Sequence, residues 1–216
     1  MAYKDIVPVG TTLIVAATSF ALGVIFSNWP YDYSTLYSKI LPTDKTFANS
    51  LQHYQTLGSS PLFIVHTFHA VLGIGFIGCF IKIYKPSEET KLFEYGTLFL
   101  YMVAVVVYLT NIRIGIQSAI ARQWGDVDEK TGINVIAASQ TMIVFVLVGV
   151  LVLQGGLYYA NWENERALKK FYEDEAKEKA KKQEQQDKES GVDSAKASGS
   201  EVREKTSSGK KSIKKT

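Results

Sequence analysis

Hydrophobic and polar positions along the chain divide it near Ala160. Before that point four windows carry no charged residue: 6–26, 61–81, 95–112 and 131–160. Lys82 closes the second window, and Glu94 and Arg113 bound the third. A helix of the first window's length rises roughly 30 Å, the thickness of a bilayer's hydrocarbon core. One charge at mid-bilayer costs about 2.5–3.5 kcal/mol, so four such windows predict an all-α integral membrane fold, a four-transmembrane-helix bundle over residues 1–160. The fourth window is long enough to tilt or to begin in the interface. The first also reads as a cleavable signal peptide with Ala21 and Gly23 as small cleavage-site residues, but its apolar core exceeds the roughly 7–15 residues usual for signals. An uncleaved anchor is the preferred reading.

After Ala160 the pattern becomes polar. Residues 161–216 form a hydrophilic tail of Lys, Glu, Gln, Ser and Ala. Acid-then-base pairs four residues apart (Glu165–Lys169, Glu173–Lys177, Glu175–Lys179, Glu178–Lys182 and Glu184–Lys188) predict a solvated helix to about Lys188, continuing from the fourth span. Apolar residues almost vanish after Tyr172, which argues against a sustained coiled-coil seam. Beyond Ser190 the Ser, Gly and Lys content reads as disorder. The last residues, Lys214-Lys215-Thr216, only resemble a dilysine signal, because Ile213 occupies one of the two required positions.

Charge sharpens this picture. Lys and Arg number 9 before Asn161 and 15 from there on, against 9 and 12 for Asp and Glu, so the net +3 belongs to the tail. Such an excess lacks the clustered basic face that nucleic-acid binding needs. An even number of spans puts both termini on one side. That side carries Lys4, Lys82, Lys85, Lys91, Arg166, Lys169, Lys170, Lys177 and Lys179, and the other Lys39, Lys45, Arg113, Arg122 and Lys130. Nine against five predicts cytosolic termini and a cytosolic tail by the positive-inside rule. The outward loops, 27–60 and 113–130, are too short for independent domains and are expected to pack over the bundle. Trp29, Trp124 and Trp162 fall at span ends, where interfacial anchoring accounts for them. The single cysteine, Cys79, leaves no intramolecular disulfide, and no Asn-X-Ser/Thr acceptor is present.

Candidate chemistry is sparse. His66 and His69 lie three apart, on one face of the second span. They read either as metal or haem ligands or as interhelical polar contacts. A bis-histidine haem needs an opposed ligand, and no other span holds a histidine, cysteine or carboxylate well inside it. Gln140 and Gln154 share roughly one face of the fourth span, and need partners within the bundle or on another membrane protein. Ala17/Ala21 and Ser19/Gly23 give small-xxx-small spacings that allow close helix approach. No span shows an internal acid–base pair, and there is no phosphate loop, nucleophile triad or zinc spacing. The residues therefore predict no catalytic, cofactor-binding or metal site. The alternative reading is a four-span carrier or a haem-binding redox subunit using His66 and His69.

Several loop motifs carry a family resemblance. They are Phe26-Ser27-Asn28-Trp29-Pro30-Tyr31-Asp32-Tyr33, His53-Tyr54-Gln55, Gly73-Ile74-Gly75 and Ile83-Tyr84-Lys85-Pro86. Phe93-Glu94-Tyr95, Leu109-Thr110-Asn111, Gln123-Trp124-Gly125-Asp126-Val127 and Ala160-Asn161-Trp162 follow. In order and spacing, from about residue 10 to Trp162, these resemble the fungal endoplasmic-reticulum packaging chaperones for amino-acid permeases; the tail matches only in composition. The resemblance implies a non-enzymatic, four-span ER protein whose membrane domain assists newly inserted permeases. It also implies a tail that brings them near the COPII coat. Its partners would be amino-acid permeases, COPII components and the lipid bilayer, with no nucleic acid and no cofactor. Unassembled permease helices expose polar and small-residue faces, and a bundle offering Gln, His, Ser, Thr and Gly faces would shield them without nucleotide.

Overall fold

A computed structural model describes residues 3–39, 41–84 and 90–207, with side chains described from Ile6 to Lys181. Lys85 and Pro86, the side chains of Lys4, Lys182 and Lys188, and the Lys214-Lys215-Thr216 end lie outside the described residues. Among the described residues the regular structure is entirely helical. The elements are α1 (Tyr3–Asp32), a π-helical turn (Tyr33–Tyr37), α2 (Asp44–Gly58), α3 (Leu62–Ile83), α4 (Lys91–Val107), a second π-helical turn (Tyr108–Ile112), α5 (Arg113–Ala121) and α6 (Glu129–Ser207). Four helical segments, Ile6–Tyr37, Leu62–Ile83, Lys91–Ala121 and Glu129–Lys181, are long and apolar enough to cross a membrane. Chain contacts divide the molecule into two units, 1–159 and 160–216.

All four spans outrun or shift from the charge-free windows, and in the first the polar residues at its end have buried partners. The first helix continues past Phe26 with Asn28 and Asp32 turned inward, four apart on the face of Ala21 and Ile25. Pro30 lies within it and has no N–H to give to the preceding turn. The widened turn at Tyr33–Tyr37 follows directly. The third span likewise runs on through Asn111 and Arg113 to Ala121. Residues read as outward loops are therefore largely helical. α2 buries Phe47, Ser50, Leu51 and Tyr54, a spacing of three, four and seven residues that makes one face of an amphipathic helix. With Ala119 of α5 and Ile133 and Ile136 of α6, Phe47, Leu51 and Tyr54 form a second core, bordered by Leu57, Ile116 and Trp124. Beyond α5 the chain reverses through Arg122 and Gly125, both left-handed, at φ +52° and +64°. Gly125 suits such a backbone because it carries no Cβ.

The main core joins α1, α3, α4 and α6 through Ile14, Ala21, Leu72, Cys79, Tyr101, Ile143, Leu147 and Val150. α1 meets α3 backbone to backbone: a Cβ on Gly78 would stand 2.8 Å from the Gly10 carbonyl oxygen. Ala17, at the same seam, faces Gly75, where any side chain would run into the Tyr101 hydroxyl. That hydroxyl donates to the Leu72 carbonyl at 3.0 Å, and the Phe76 ring meets the Tyr101 ring edge-on at 5.0 Å. Small residues are what permit such approach in a lipid environment, where no water drives the helices together.

In the second unit, the Arg166 guanidinium lies 3.7 Å over the Trp162 ring. Lys179 pairs with Glu175 at 2.8 Å, four residues back. Lys177, read from sequence as the partner of Glu173, turns to Asp174 at 3.6 Å. Apart from the partly covered Glu175 these groups are exposed, and pairs of this kind add at most a few tenths of a kcal/mol each. The helix is assigned through Ser207, into the region read as disordered beyond Ser190; 208–216 lie outside the described residues.

Candidate functional site

Two buried polar networks lie at opposite ends of the membrane unit, each centred on a glutamine of α6. At the α2 end, Asn28 Nδ2 donates to Gln140 Oε1 at 2.9 Å. Gln140 Nε2 donates to the Tyr54 hydroxyl at 3.0 Å, and Tyr54 in turn donates to Asp32. His53 Nε2 meets Asn28 Oδ1 at 2.9 Å, and its ring stacks on Tyr31 at 3.9 Å. α1, α2 and α6 are thus tied together by one chain of five side chains. Burial of His53 holds its imidazole below the usual histidine range. Burial, followed by the neighbouring Asp32 carboxylate, pushes the Tyr54 phenol far up, so it stays protonated and donating.

At the other end Lys82 Nζ donates to Gln154 Oε1 at 2.7 Å, and Gln154 Nε2 donates to Thr97 Oγ1 at 2.8 Å. Thr97 Oγ1 donates in turn to the Phe93 carbonyl at 2.8 Å. Glu94 is buried beside this group, with Thr90 donating to its Oε1 at 3.3 Å and no hydrogen bond to its Oε2 among the described residues. Sequence reading placed Lys82 and Glu94 as markers of span ends and found no internal acid–base pair; in the fold both are buried, at 2% and 6% exposure. A charge at the edge of an apolar run looks alike whether it faces water or a neighbouring helix. The contact signal was therefore absent from the chain itself.

The four residues singled out from sequence separate into two kinds. Gln140 and Gln154 are buried and bonded as above. His66 is exposed, while His69 is half-buried and shares a 3.1 Å hydrogen bond with the Tyr108 hydroxyl. Among the described residues no three His, Cys, Asp or Glu side chains gather to hold a metal. Of the motif residues, Asn28 and Asp32 enter the first network, and Tyr31 stacks against it. Trp29 stacks on Tyr37 at 6.3 Å, while Pro30, Tyr33, Gln123 and Asp126 are exposed. Trp124 packs its ring over Gly132, where a Cβ would collide with it. The structure thus adds a packing role to a residue read as an interfacial anchor. Beside α2 an open groove of about 500 Å³, lined by Gln52, Gln55, Thr56, Ser59, Ser60 and Pro61, carries amides and hydroxyls but no ionisable side chain.

The outer surface of α1 is the third feature. Gly10, Ile14, Ala17, Ala21, Ile25, Asn28 and Asp32 form its buried face. Thr12, Ala16, Ser19, Gly23 and Ser27, spaced four, three, four and four residues apart, are all exposed. Thr12 returns its hydroxyl to the Pro8 carbonyl at 3.0 Å and Ser27 to the Val24 carbonyl at 2.6 Å. A Cβ on Gly23 would meet nothing within 4 Å. The pair Ala17/Ala21 therefore serves the bundle, whereas Ser19/Gly23 faces away from it.

Comparison with known proteins agrees with this architecture. The profile of a family described as "SHR3_chaperone: ER membrane protein SH3" matches residues 5–193. The secretory component protein psh3 of Schizosaccharomyces pombe is 25% identical over 173 residues, covering 78% of this chain and 79% of that protein. No solved structure matches significantly. The chain belongs to the SHR3 family of endoplasmic-reticulum membrane chaperones.

Proposed function

We propose that the protein is a non-enzymatic chaperone for amino-acid permeases, shielding their transmembrane helices until they assemble and bringing them near the COPII coat. The observation that carries this reading is the outer face of α1. Thr12, Ala16, Ser19, Gly23 and Ser27 make a small, hydroxyl-bearing face about 22 Å long at 1.5 Å per residue. Lipid tails gain nothing from such a face, whereas another helix can approach it closely and find hydroxyl partners. The Thr12 and Ser27 hydroxyls rest on backbone carbonyls, which makes those parts of the surface presentable to lipid when no client is bound. Clients held by such contacts exchange easily, since a polar contact in the membrane contributes about 0.6–2 kcal/mol. Gln140 and Gln154 hold the presenting bundle together, while His66 sits on its outside.

Both termini face the cytosol in this reading, on the strength of the nine-to-five lysine and arginine bias. The tail, 161–216, is then the arm that works on the coat side. Replacing Ser19 and Gly23 together by leucine tests the shielding face. The doubly substituted protein should remain folded and in the ER, because Ser19 is exposed and Gly23 has open space. Permeases should nevertheless aggregate in the ER, with amino-acid uptake reduced and other plasma-membrane proteins unaffected. Normal permease export from that variant would remove α1 as the client face. Protection of a C-terminal tag from protease added to intact microsomes would reverse the topology and with it the coat-recruiting role.

A further inference from the structure

The network at the α2 end has a direction. Asn28 Oδ1 can only accept, so His53 Nε2–H is the donor in their bond; Asn28 Nδ2 donates to Gln140 Oε1, and Gln140 Nε2 donates to the Tyr54 oxygen. Tyr54 spends its proton on Asp32. Every donor points toward the carboxylate. Each amide has one acceptor and one donor side, so neither Asn28 nor Gln140 can turn over alone without setting donor against donor or acceptor against acceptor. Tyr54 is constrained in the same way. The relay consequently has two self-consistent states, each with all its bonds made, which are mirror images of one another.

The geometry points to a proton-operated latch: protonation of Asp32 reverses every hydrogen bond from Tyr54 to His53 and weakens the hold of α2 on the bundle. In the reversed state the Asp32 carboxyl donates to the Tyr54 oxygen and Tyr54 donates to Gln140 Oε1. The two amides have turned, and Asn28 Nδ2 donates to His53 Nε2. His53 must then release its Nε2 proton to solvent and take one from solvent at Nδ1, so the whole change takes up one proton, held by Asp32. The weakening follows because a charge-assisted phenol-to-carboxylate bond is replaced by neutral ones. An imidazolium cannot accept a hydrogen bond, so a second proton on the His53 ring and a proton on Asp32 exclude each other within an intact relay.

The surroundings isolate this pair. Tyr54 of α2 is the titratable group against Asp32, and α6 contributes only the neutral Gln140 there. Tyr31 of α1 and Tyr54 of its own helix face His53. Among the described residues no other charged side chain is bonded to either end, the Lys130–Asp44 pair joining the first turn of α6 to the first turn of α2. Burial lowers the His53 titration and so favours the neutral ring that the reversed state needs as its acceptor.

The test uses the full chain in lipid nanodiscs with ¹⁵N-labelled histidine, the His53 signal being assigned by its loss in His53→Gln. The Asp32 carboxylic-acid band is assigned in parallel infrared spectra by its loss in Asp32→Asn. On acidification the His53 tautomer should invert from Nε2–H to Nδ1–H in step with that band, and amide exchange in α2 should accelerate. Tyr54→Phe, which removes only the bridging hydroxyl, should uncouple the two signals; should that variant fail to fold, Gln140→Met cuts the next link. The latch is refuted by any of three results. These are a His53 that keeps its Nε2 proton or passes directly to imidazolium while Asp32 protonates, an Asp32 that stays ionised until the protein unfolds, and a cut relay that leaves the coupling intact.

Discussion

At the Gln140 end of the bundle the buried charge is an acid, reached from His53 through two amides and a phenol. At the Gln154 end the amide instead holds a base directly, at 2.7 Å, with the Glu94 carboxyl buried beside it. The same residue type, fourteen positions along one helix, faces opposite ways electrically: Gln140 gives its N–H toward the charge, and Gln154 gives its carbonyl. The first end also draws on α2, an element outside the four spans, whereas the second is made wholly by the span helices α3, α4 and α6. An amide can serve either sign because it carries both a donor and an acceptor. What sets its role is the partner brought to it, which neither glutamine discloses.

The difference ranks the substitutions. Lys82→Met should do the most damage. It leaves the Gln154 oxygen without its charged donor and removes a cation whose field acts on Glu94, and orphaning the partner of a charged group costs more than the roughly 1–3 kcal/mol of a neutral one. Thermal unfolding of purified protein in detergent measures this, and a loss no larger than that of an exposed lysine would dissolve the distinction between the ends. Gln140→Leu should cost less, about 1–3 kcal/mol, because it orphans only neutral donors and acceptors of Asn28 and Tyr54. Its damage should concentrate in α2, read as faster amide exchange over 44–58 than in α3. Equal exchange in both helices would mean that α2 is held chiefly by its apolar core of Phe47, Leu51 and Tyr54.

Acid should sharpen the contrast further. The folded His53 sits below its ordinary value of 6.5, so the unfolded chain binds the proton first. The histidine's contribution is therefore complete above that value and is lost as pH falls through the lower folded one. Amide exchange in α2 should respond in this window in the native chain and respond less in His53→Gln. The smallest effect belongs to His66→Ala, within roughly 0.5 kcal/mol as for other exposed positions. Loss of permease export from that substitution alone, with stability unchanged, would instead indicate a ligand or client contact at His66.

Sequence made the four spans legible because a bilayer punishes charge regardless of context. It left α2 and α5 unread, since Phe47, Leu51 and Tyr54 are scattered among polar residues and their pattern resembles a loop until the partners Ile133 and Ile136 are known. His66, His69, Gln140 and Gln154 looked equivalent as polar groups in apolar runs. Only the rotation of each helix against its neighbours separates an inward glutamine from an outward histidine. Asn28 and Asp32 were visible as a motif but not as a mechanism, because their meaning depends on Tyr54 and Gln140, far away along the chain.

The burial of Cys79, at 2% exposure in the main core, has a practical consequence. It is the chain's sole cysteine, and inside a packed bundle it is shielded from water-soluble thiol reagents. The native protein is therefore a near-silent background for cysteine mapping. A single new thiol at Tyr33, Asp126 or Tyr172 would report its own side of the membrane under an impermeant maleimide, with the natural residue left in place.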